Sequence, residues 1–255
     1  MRKKVGLALG AGAVRGLAHL GVIEVLEREG IPIDFIAGTS IGAMVGGLYC
    51  TGLETNRLIQ LATNLNWEHL TDLAIPKKGL VRGKKILELL QLLTRGKEIS
   101  QLDIPFAAVA CDIQQGEKVI IKEGSLADAI RASISVPGIY IPYQYQGRLL
   151  VDGAVLDRVP VDVVRDAGMD LVIAVEVGFM GANSRVDNIF EIILQSIDIM
   201  QRKIMRETLT KADLLLTPPL GHIASTNLQR ADECIEEGRK AAEAKLEEIF
   251  TLLEG

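Results

Sequence analysis

The sequence predicts an α/β protein of three layers, with a mostly parallel central sheet flanked by helices. Three observations lead there. Short apolar runs suited to buried strands alternate with stretches of helical periodicity along most of the chain. Glycine-rich turns directly follow the first two apolar runs. The 255 residues, 48% of them hydrophobic, suffice to bury one substantial core. The whole chain 1–255 therefore reads as one domain, with its motifs in residues 4–178 and a more helical part in 179–255.

Residues 4–9 form the first predicted strand, and the loop Gly10-Ala11-Gly12-Ala13-Val14-Arg15-Gly16 leads into an amphipathic helix over 17–29. Leu17, Leu20, Ile23, Val25 and Leu26 mark its inner face and Gly30 closes it. A second strand over 33–37 enters the turn Gly38-Thr39-Ser40-Ile41-Gly42, followed by a helix to about residue 52. The short helical crossover makes these two strands parallel neighbours, their carboxyl ends side by side. Residues 54–101 turn helical and more polar, with Trp67, a turn at Pro76 to Gly79 and a helix over 83–93, and are expected to cover the substrate. In this part Trp67, Leu89, Leu90, Leu92 and Leu93 suggest an apolar entrance or an oligomer contact. A hairpin follows, 104–111 with 118–122, then a helix at 126–133, an apolar run into Asp152-Gly153, a helix at 161–167 and a strand at 171–177. A bend at Gly181 to Ser184, a long helix over 188–211, a strand at 214–217 and a charged helix over 231–253 complete the chain.

A formal net charge of −5 leaves no broad basic footprint, so nucleic acid is not an expected partner. The three cysteines, Cys50, Cys111 and Cys234, are widely spaced in apolar surroundings and read as reduced thiols of a cytoplasmic protein. Neither a metal site nor a cofactor is indicated. The apolar run after Arg2-Lys3-Lys4 is shorter than the roughly 7–15 residues of an export signal. No run approaches the roughly 18–20 apolar residues of a spanning helix, so any membrane contact is expected to be peripheral.

The turn at Ser40 has the form strand, G-x-S-x-G, helix, which lifts a serine hydroxyl off the sheet edge. A Cβ at Gly38 or Gly42 is expected to collide with the neighbouring strand or helix. Ser40 is the candidate nucleophile, the alternative being a helix N-cap. Attack on an acyl carbon develops an oxyanion that needs preorganised donors. The loop from Gly10 to Gly16, on the adjacent strand and at a helix N-terminus, can supply them, with Arg15 as a fixed charge or an anchor. Asp152, presented at a strand end by the sharp turn at Gly153, is the preferred base, because a carboxylate within reach of a hydroxyl can take its proton directly.

Other readings exist. Gly10, Gly12 and Gly16 after a strand suit a dinucleotide loop, with Asp34 at the spacing of a ribose ligand but at the wrong end of its strand. Of the three histidines, His19 reads as packed or capping, His69 stands in no motif, and His222 would complete a Ser-Asp-His order with Asp152. Asp103, Asp112, Asp157 and Asp162 read as turn or capping residues.

Taken together and in this order, Gly10 to Gly16, Gly38 to Gly42 and Asp152-Gly153-Ala154 resemble the bacterial patatin-like phospholipase family. Arg131 to Gly138, Ala110-Cys111-Asp112 with Gly116, and Val159-Pro160-Val161 also resemble blocks of that family, so the likeness covers about residues 4–178. The resemblance implies a patatin-like fold and a Ser-Asp dyad rather than a triad, with Ser40 as nucleophile and Asp152 as its base. It implies an oxyanion hole on the N–H groups around Gly12 and Ala13, and Arg15 in the family's basic position. It further implies hydrolysis of acyl esters of lipids, without a cofactor. Ala13 and Ala11 depart from glycines frequent in the family. A Cβ at positive φ costs on the order of 1 kcal/mol, and a weakly active, regulatory lipid-binding protein is the reading this departure favours.

Overall fold

Strand β1 (Val5–Leu9) and strand β2 (Phe35–Thr39) are buried throughout and pair in parallel, Leu9 opposite Gly38. Between them a short 3-10 turn (Ala13–Leu17) feeds helix α1 (Ala18–Arg28), the predicted crossover. The structure, a computed structural model, describes residues 2–65, 70–74, 78–178 and 188–254. Trp67, His69, Pro76 and the bend at 181–184 lie outside the described residues.

The chain continues through α2 (Ile41–Cys50), α3 (Thr55–Asn64) and α4 (Lys84–Leu93) to β3 (Phe106–Asp112), β4 (Glu117–Ile121) and α5 (Leu126–Ser133). Then come β5 (Tyr143–Tyr145), β6 (Arg148–Asp152), α6 (Val161–Asp166), β7 (Leu171–Val175) and α7 (Ile189–Leu209). The last elements are β8 (Leu214–Leu216), α8 (Ala231–Glu243) and α9 (Leu246–Glu254). Among the described residues the eight strands make one sheet, in which β3, β2, β1, β7 and β8 run parallel and in that order.

The alternation in β1 explains the three layers. Val5, Leu7 and Leu9 point to one face, into a core shared with α1, α2, α5 and α8. Ala8 points to the other, into a smaller core with Val161, Val163 and Val164 of α6 and Met205 of α7. Gly6 lies on this second face, where a Cβ would come within 2.2 Å of Val164, so small residues there let α6 approach closely. Helix α7 has a second character: Ile189, Ile192, Ile199, Met200 and Ile204 are all exposed along it. Among the described residues no helix is long and apolar enough to cross a membrane.

Strand β3 organises the far side of the sheet. It pairs with β2 in parallel through 106–109, with β4 antiparallel through 108–112, and with β6 antiparallel through 110–112. Because the β4 register overlaps both others, β4 takes one edge of β3, and β2 and β6 lie end to end along the other. Thr39, opposite Val109, and Asp152, opposite Ala110, are therefore brought together at the junction.

The apolar strand read before Asp152 is present, as half of an antiparallel β5–β6 hairpin. Two local expectations are corrected. The terminal helix over 231–253 is two helices, separated at Ala244 and Lys245. The end of the loop, Ala13–Leu17, is a 3-10 turn, so the helix expected from residue 17 begins at Ala18. The collisions expected at the elbow are present: a Cβ at Gly38 would meet α2 backbone at 2.4 Å, and one at Gly42 would meet the Leu9 carbonyl oxygen at 2.2 Å.

Gly42→Ala should therefore cost at least about 3 kcal/mol or prevent folding, since backbone must move. Gly116→Ala, at φ 68 with open space around it, should cost only about 1–2 kcal/mol. Urea denaturation of the two variants checks the contrast.

Candidate active site

Ser40 sits at the turn between β2 and α2 with φ 57 and ψ −122, a strained conformation for a residue with a side chain. The N-cap reading fails on geometry: the Ser40 side chain makes no capping bond, although its carbonyl accepts from the Met44 N–H at 3.1 Å. What holds the strain is Ser133, on α5. Its Oγ accepts from the Ser40 N–H at 2.8 Å and donates to the Val109 carbonyl at 2.6 Å, fixing the elbow to β3.

Asp152, at the end of β6, is 2% exposed. Burial raises its carboxyl pKa to about 6, opposed by a hydrogen bond with the Ser40 hydroxyl, by the Ala154 N–H and by the charge of Arg158. The Ala154 N–H donates to Oδ1 at 2.9 Å. Gly153 passes so close to β3 that a Cβ would come within 2.3 Å of the Val109 oxygen, which gives the turn its glycine. Ser40 and Asp152 thus meet as the two predicted strand ends.

The loop from Gly10 to Gly16 lies on the same cavity through Ala11, Gly12, Ala13 and Arg15. Its N–H groups are not equivalent. Those of Gly10, Ala11, Val14 and Arg15 donate to Val175, Arg158, Ser225 and Gly12 carbonyls. Among the described residues no acceptor takes the N–H of Gly12 or Ala13. This narrows the expected donor set: Gly10 and Ala11 fix the loop, and Gly12 and Ala13 keep their donors. Gly16 is a packing position, its Cα so near Ile41 that a Cβ would stand 2.0 Å from it. Ala13 does adopt positive φ, at 50. Arg15 proves to be an anchor, 1% exposed, with Nε donating to Ile223 at 2.8 Å and Nη1 to Gly178 at 2.6 Å. Burial lowers its pKa from the ordinary value.

None of the described histidines joins Ser40. His19 is wholly buried behind the loop, with Nε2 on the Gly10 carbonyl at 2.8 Å and its pKa lowered by burial to about 4. His222 is on the surface, 2.8 Å from Glu233. Asp34 lies just before β2, bonded to Arg2 and to the Val5 N–H, at the end of the strands opposite the glycine loop. Asp112 caps its turn as expected, accepting from the N–H groups of Gln114 and Gln115. Asp157 is instead a buried partner of Lys118.

Two arginines that sequence reasoning gave no role shape the site. Arg158 is 2% exposed, pairs with Glu176 and Asp198, and lines the cavity beside Asp152. Arg131 ties α5 to the carbonyls of Gly83 and Arg82 and to the Ser135 hydroxyl, and stacks its guanidinium on Tyr140 at 4.9 Å. Arg131 stood inside a block noted in the sequence, whereas nothing near Arg158 in the chain announced its partners.

An apolar groove runs away from Ser40 along Leu17, Ile41, Met44 and Ile86. The same four residues open into a cavity under α3 and α4, walled by Leu58, Leu61, Leu89, Leu90 and Leu93. Of the leucines suggested for an entrance, Leu89, Leu90 and Leu93 line this space, while Leu92 points outward and is 74% exposed.

Fold and site define a class: an α/β protein whose strained serine turn, buried carboxylate and glycine-rich donor loop converge on one cavity with an apolar groove attached. The chain belongs to the patatin-like phospholipase family, whose model matches residues 7–165. It is 41% identical over 174 residues to an NTE family protein of Mycobacterium tuberculosis, covering 68% of this chain and 48% of that protein. It is 36% identical over 180 residues to a lysophospholipase, NTE1, of Meyerozyma guilliermondii, covering 68% of this chain and 12% of that one. Patatin-like phospholipase domain-containing protein 6 of Mus musculus is 33% identical over 184 residues, 68% of this chain and 13% of its own length. The matched part thus spans at most about half of these relatives. Among solved structures, VipD of Legionella pneumophila superposes with a TM-score of 0.61 at 14% identity, covering 97% of this chain and 67% of that one. The type III effector ExoU superposes at 0.53 with 13% identity, covering 96% and 53%. Both likenesses concern the fold.

Removing the Ser133 hydroxyl leaves the Ser40 N–H and the Val109 carbonyl buried without partners. Ser133→Ala should therefore lower stability by about 1–3 kcal/mol, read by urea denaturation, and Ser133→Thr, which keeps a hydroxyl, should lose less.

Proposed function

We propose that this chain is a serine acyl hydrolase that cleaves carboxylic ester bonds of lipids, with Ser40 as nucleophile and Asp152 as its base. The observation that carries the reading is the convergence on one cavity of the strained Ser40 turn and the buried Asp152 carboxylate, whose pKa burial raises to about 6. A carboxylate of that pKa is ionised at neutral pH and basic enough to take a proton in the transition state. Ser40 Oγ attacks the ester carbon while Asp152 takes its proton, and the developing oxyanion is received by the N–H groups of Gly12 and Ala13. Collapse expels the alcohol, which recovers the proton from Asp152. Asp152 then takes a proton from water, whose oxygen attacks the acyl-serine, and returns it to Ser40 as the acid leaves. The groove along Leu17, Ile41, Met44 and Ile86 is suited to the acyl chain.

Catalysis occurs in a single domain spanning the described residues, in a reducing, cytoplasmic setting that suits three buried free cysteines. The exposed apolar stripe of α7, with Arg202 and Lys203 exposed beside it, touches the lipid surface from which substrate is drawn. Helix α7 also lines the cavity through Leu194, Ile197 and Asp198, so docking there brings the site to the interface. The same stripe could pair two copies of the chain, which is the other outcome of its test. A lipid-binding protein with little turnover, the alternative that Ala13 suggests, is separated from the main reading by the first experiment below.

Ser40→Ala and Asp152→Asn should each abolish hydrolysis of a lipid ester and labelling by a fluorophosphonate. Labelling that persists in Ser40→Ala would overturn the assignment, and lipid binding without product over hours in the parent protein would favour the binding reading. Because Asp152 must be ionised to act, kcat/KM should rise with pH through about 6 and be lost below it. The stability sign is opposite. A carboxyl pKa raised on folding gives stability that is complete below the unfolded value and lost as pH rises through the folded one. Asp152→Asn should therefore be more stable than the parent at pH 8, by up to on the order of 3 kcal/mol, in thermal melts. For α7, Ile199→Glu with Ile204→Glu should reduce sedimentation with anionic phosphatidylglycerol vesicles several-fold. Unchanged sedimentation with a halved particle mass in light scattering would mark the stripe as a dimer face.

A further inference from the structure

On β2 the side chains of Phe35, Ala37 and Thr39 share one face by alternation, and the first two sit in the smaller core with Val159 and Val161. Thr39 puts a hydroxyl at the end of that apolar face, on a residue 0% exposed, where it must find an acceptor. It finds one outside its own strand and its neighbours: Oγ1 donates to the Asp157 carbonyl at 2.9 Å. Asp157 stands between β6 and α6, where residues 153–160 belong to no strand and are placed by individual bonds.

Two consecutive residues of this segment reach all three parts of the site. The Asp157 carbonyl accepts from Thr39, the residue before Ser40. The Asp157 N–H donates at 2.8 Å to the carbonyl of Gly153, the residue after Asp152. The Arg158 carbonyl accepts at 3.0 Å from the N–H of Ala11, the residue before Gly12. Their side chains are held as well: Lys118 of β4 bonds the Asp157 carboxylate at 2.9 Å, and Arg158 pairs with Glu176 and Asp198. From Thr39 to Gly153 the path runs through two hydrogen bonds and one residue, so a slide of this segment moves Asp152 against Ser40.

We infer that Thr39 is a positioning residue: its hydroxyl fixes the Asp157–Arg158 segment, and through it the alignment of Asp152 and the glycine loop with Ser40. The inference rests on the acyl-hydrolase reading of the Ser40 cavity. A hydroxyl needed only for stability would change how much protein folds and leave the rate at each folded site unaltered. A positioning hydroxyl acts on that rate, since a displacement of about 1 Å can cost on the order of 100-fold. The Lys118–Asp157 ion pair holds the same segment from its other side, so its loss should matter little once the Thr39 hydroxyl is gone.

The test follows fluorophosphonate labelling and hydrolysis of 4-nitrophenyl butyrate, a monomeric ester in solution, each expressed per site labelled at completion. Thr39→Val, which keeps the branched shape, should label about 10–100-fold more slowly than the parent and lose kcat by a similar factor, with KM within about twofold. Thr39→Ser, which restores a hydroxyl, should recover most of that loss. Asp157→Asn keeps the backbone bonds and removes the ion pair, and should slow labelling about 3–10-fold. Combined with Thr39→Val it should slow labelling by no more than about a further twofold. A per-site rate in Thr39→Val within about twofold of the parent, or equal slowing in Thr39→Val and Thr39→Ser, overturns the positioning role and leaves the hydrolase reading standing. Should Thr39→Val fail to fold, the rate in Asp157→Asn is read by the same criterion. A parent protein that neither labels nor hydrolyses overturns both readings.

Discussion

One edge of β3 carries two strands, and the site exists because they meet there. β2 arrives from below and ends at Thr39, β6 arrives from above and ends at Asp152, and β3 holds their tips at consecutive residues, Val109 and Ala110. Three side-chain and backbone features secure the junction: the Ser133 hydroxyl bridging the Ser40 N–H to the Val109 carbonyl, the close pass of Gly153, and the Asp152 N–H bonded to the Ser135 carbonyl. A register shift of one residue in β6 would turn Asp152 to the other face of the sheet and separate it from Ser40.

The price of this arrangement is electrostatic. A carboxylate is held out of water beside a serine, and burial alone would protonate it. The Arg158, Glu176 and Asp198 cluster spreads charge next to it without neutralising it, since Arg158 is paired already. His19 stays neutral behind the loop, where its ring positions the Gly10 carbonyl and adds no charge to the cavity. The local balance leaves Asp152 poised near neutrality, a condition a surface aspartate would not meet.

Much of this was legible in the chain. The elbow, the glycine loop and Asp152 announce themselves because each needs small residues at fixed steps within a few positions of one another. The parallel pairing of β1 and β2 follows from the length of the crossover. The reversal at β6 was hidden because its partner β5 is three half-exposed or exposed residues, Tyr143 to Tyr145, too short for a periodic signal. The break between α8 and α9 falls at Ala244 and Lys245, both good helix formers, so packing rather than propensity sets it. The Arg158 cluster joins residues 158, 176 and 198 from separate elements, and Ser133 acts through a bond to a residue 93 positions earlier. Such long-range polar contacts leave no local pattern.

The donor loop also has a history within the chain. It directly follows β1, yet it is tied down by residues 223 and 225: Arg15 reaches the Ile223 carbonyl, and the Val14 N–H bonds to the Ser225 carbonyl. The family match ends at residue 165, well before those partners. During synthesis the elbow and its carboxylate can meet once Asp152 has left the ribosome, while the loop opposite them must wait for some 70 residues more. In a nascent chain the Ser40 turn and Asp152 can therefore come together before the loop facing them has its last anchors, which arrive only with the last quarter of the polypeptide.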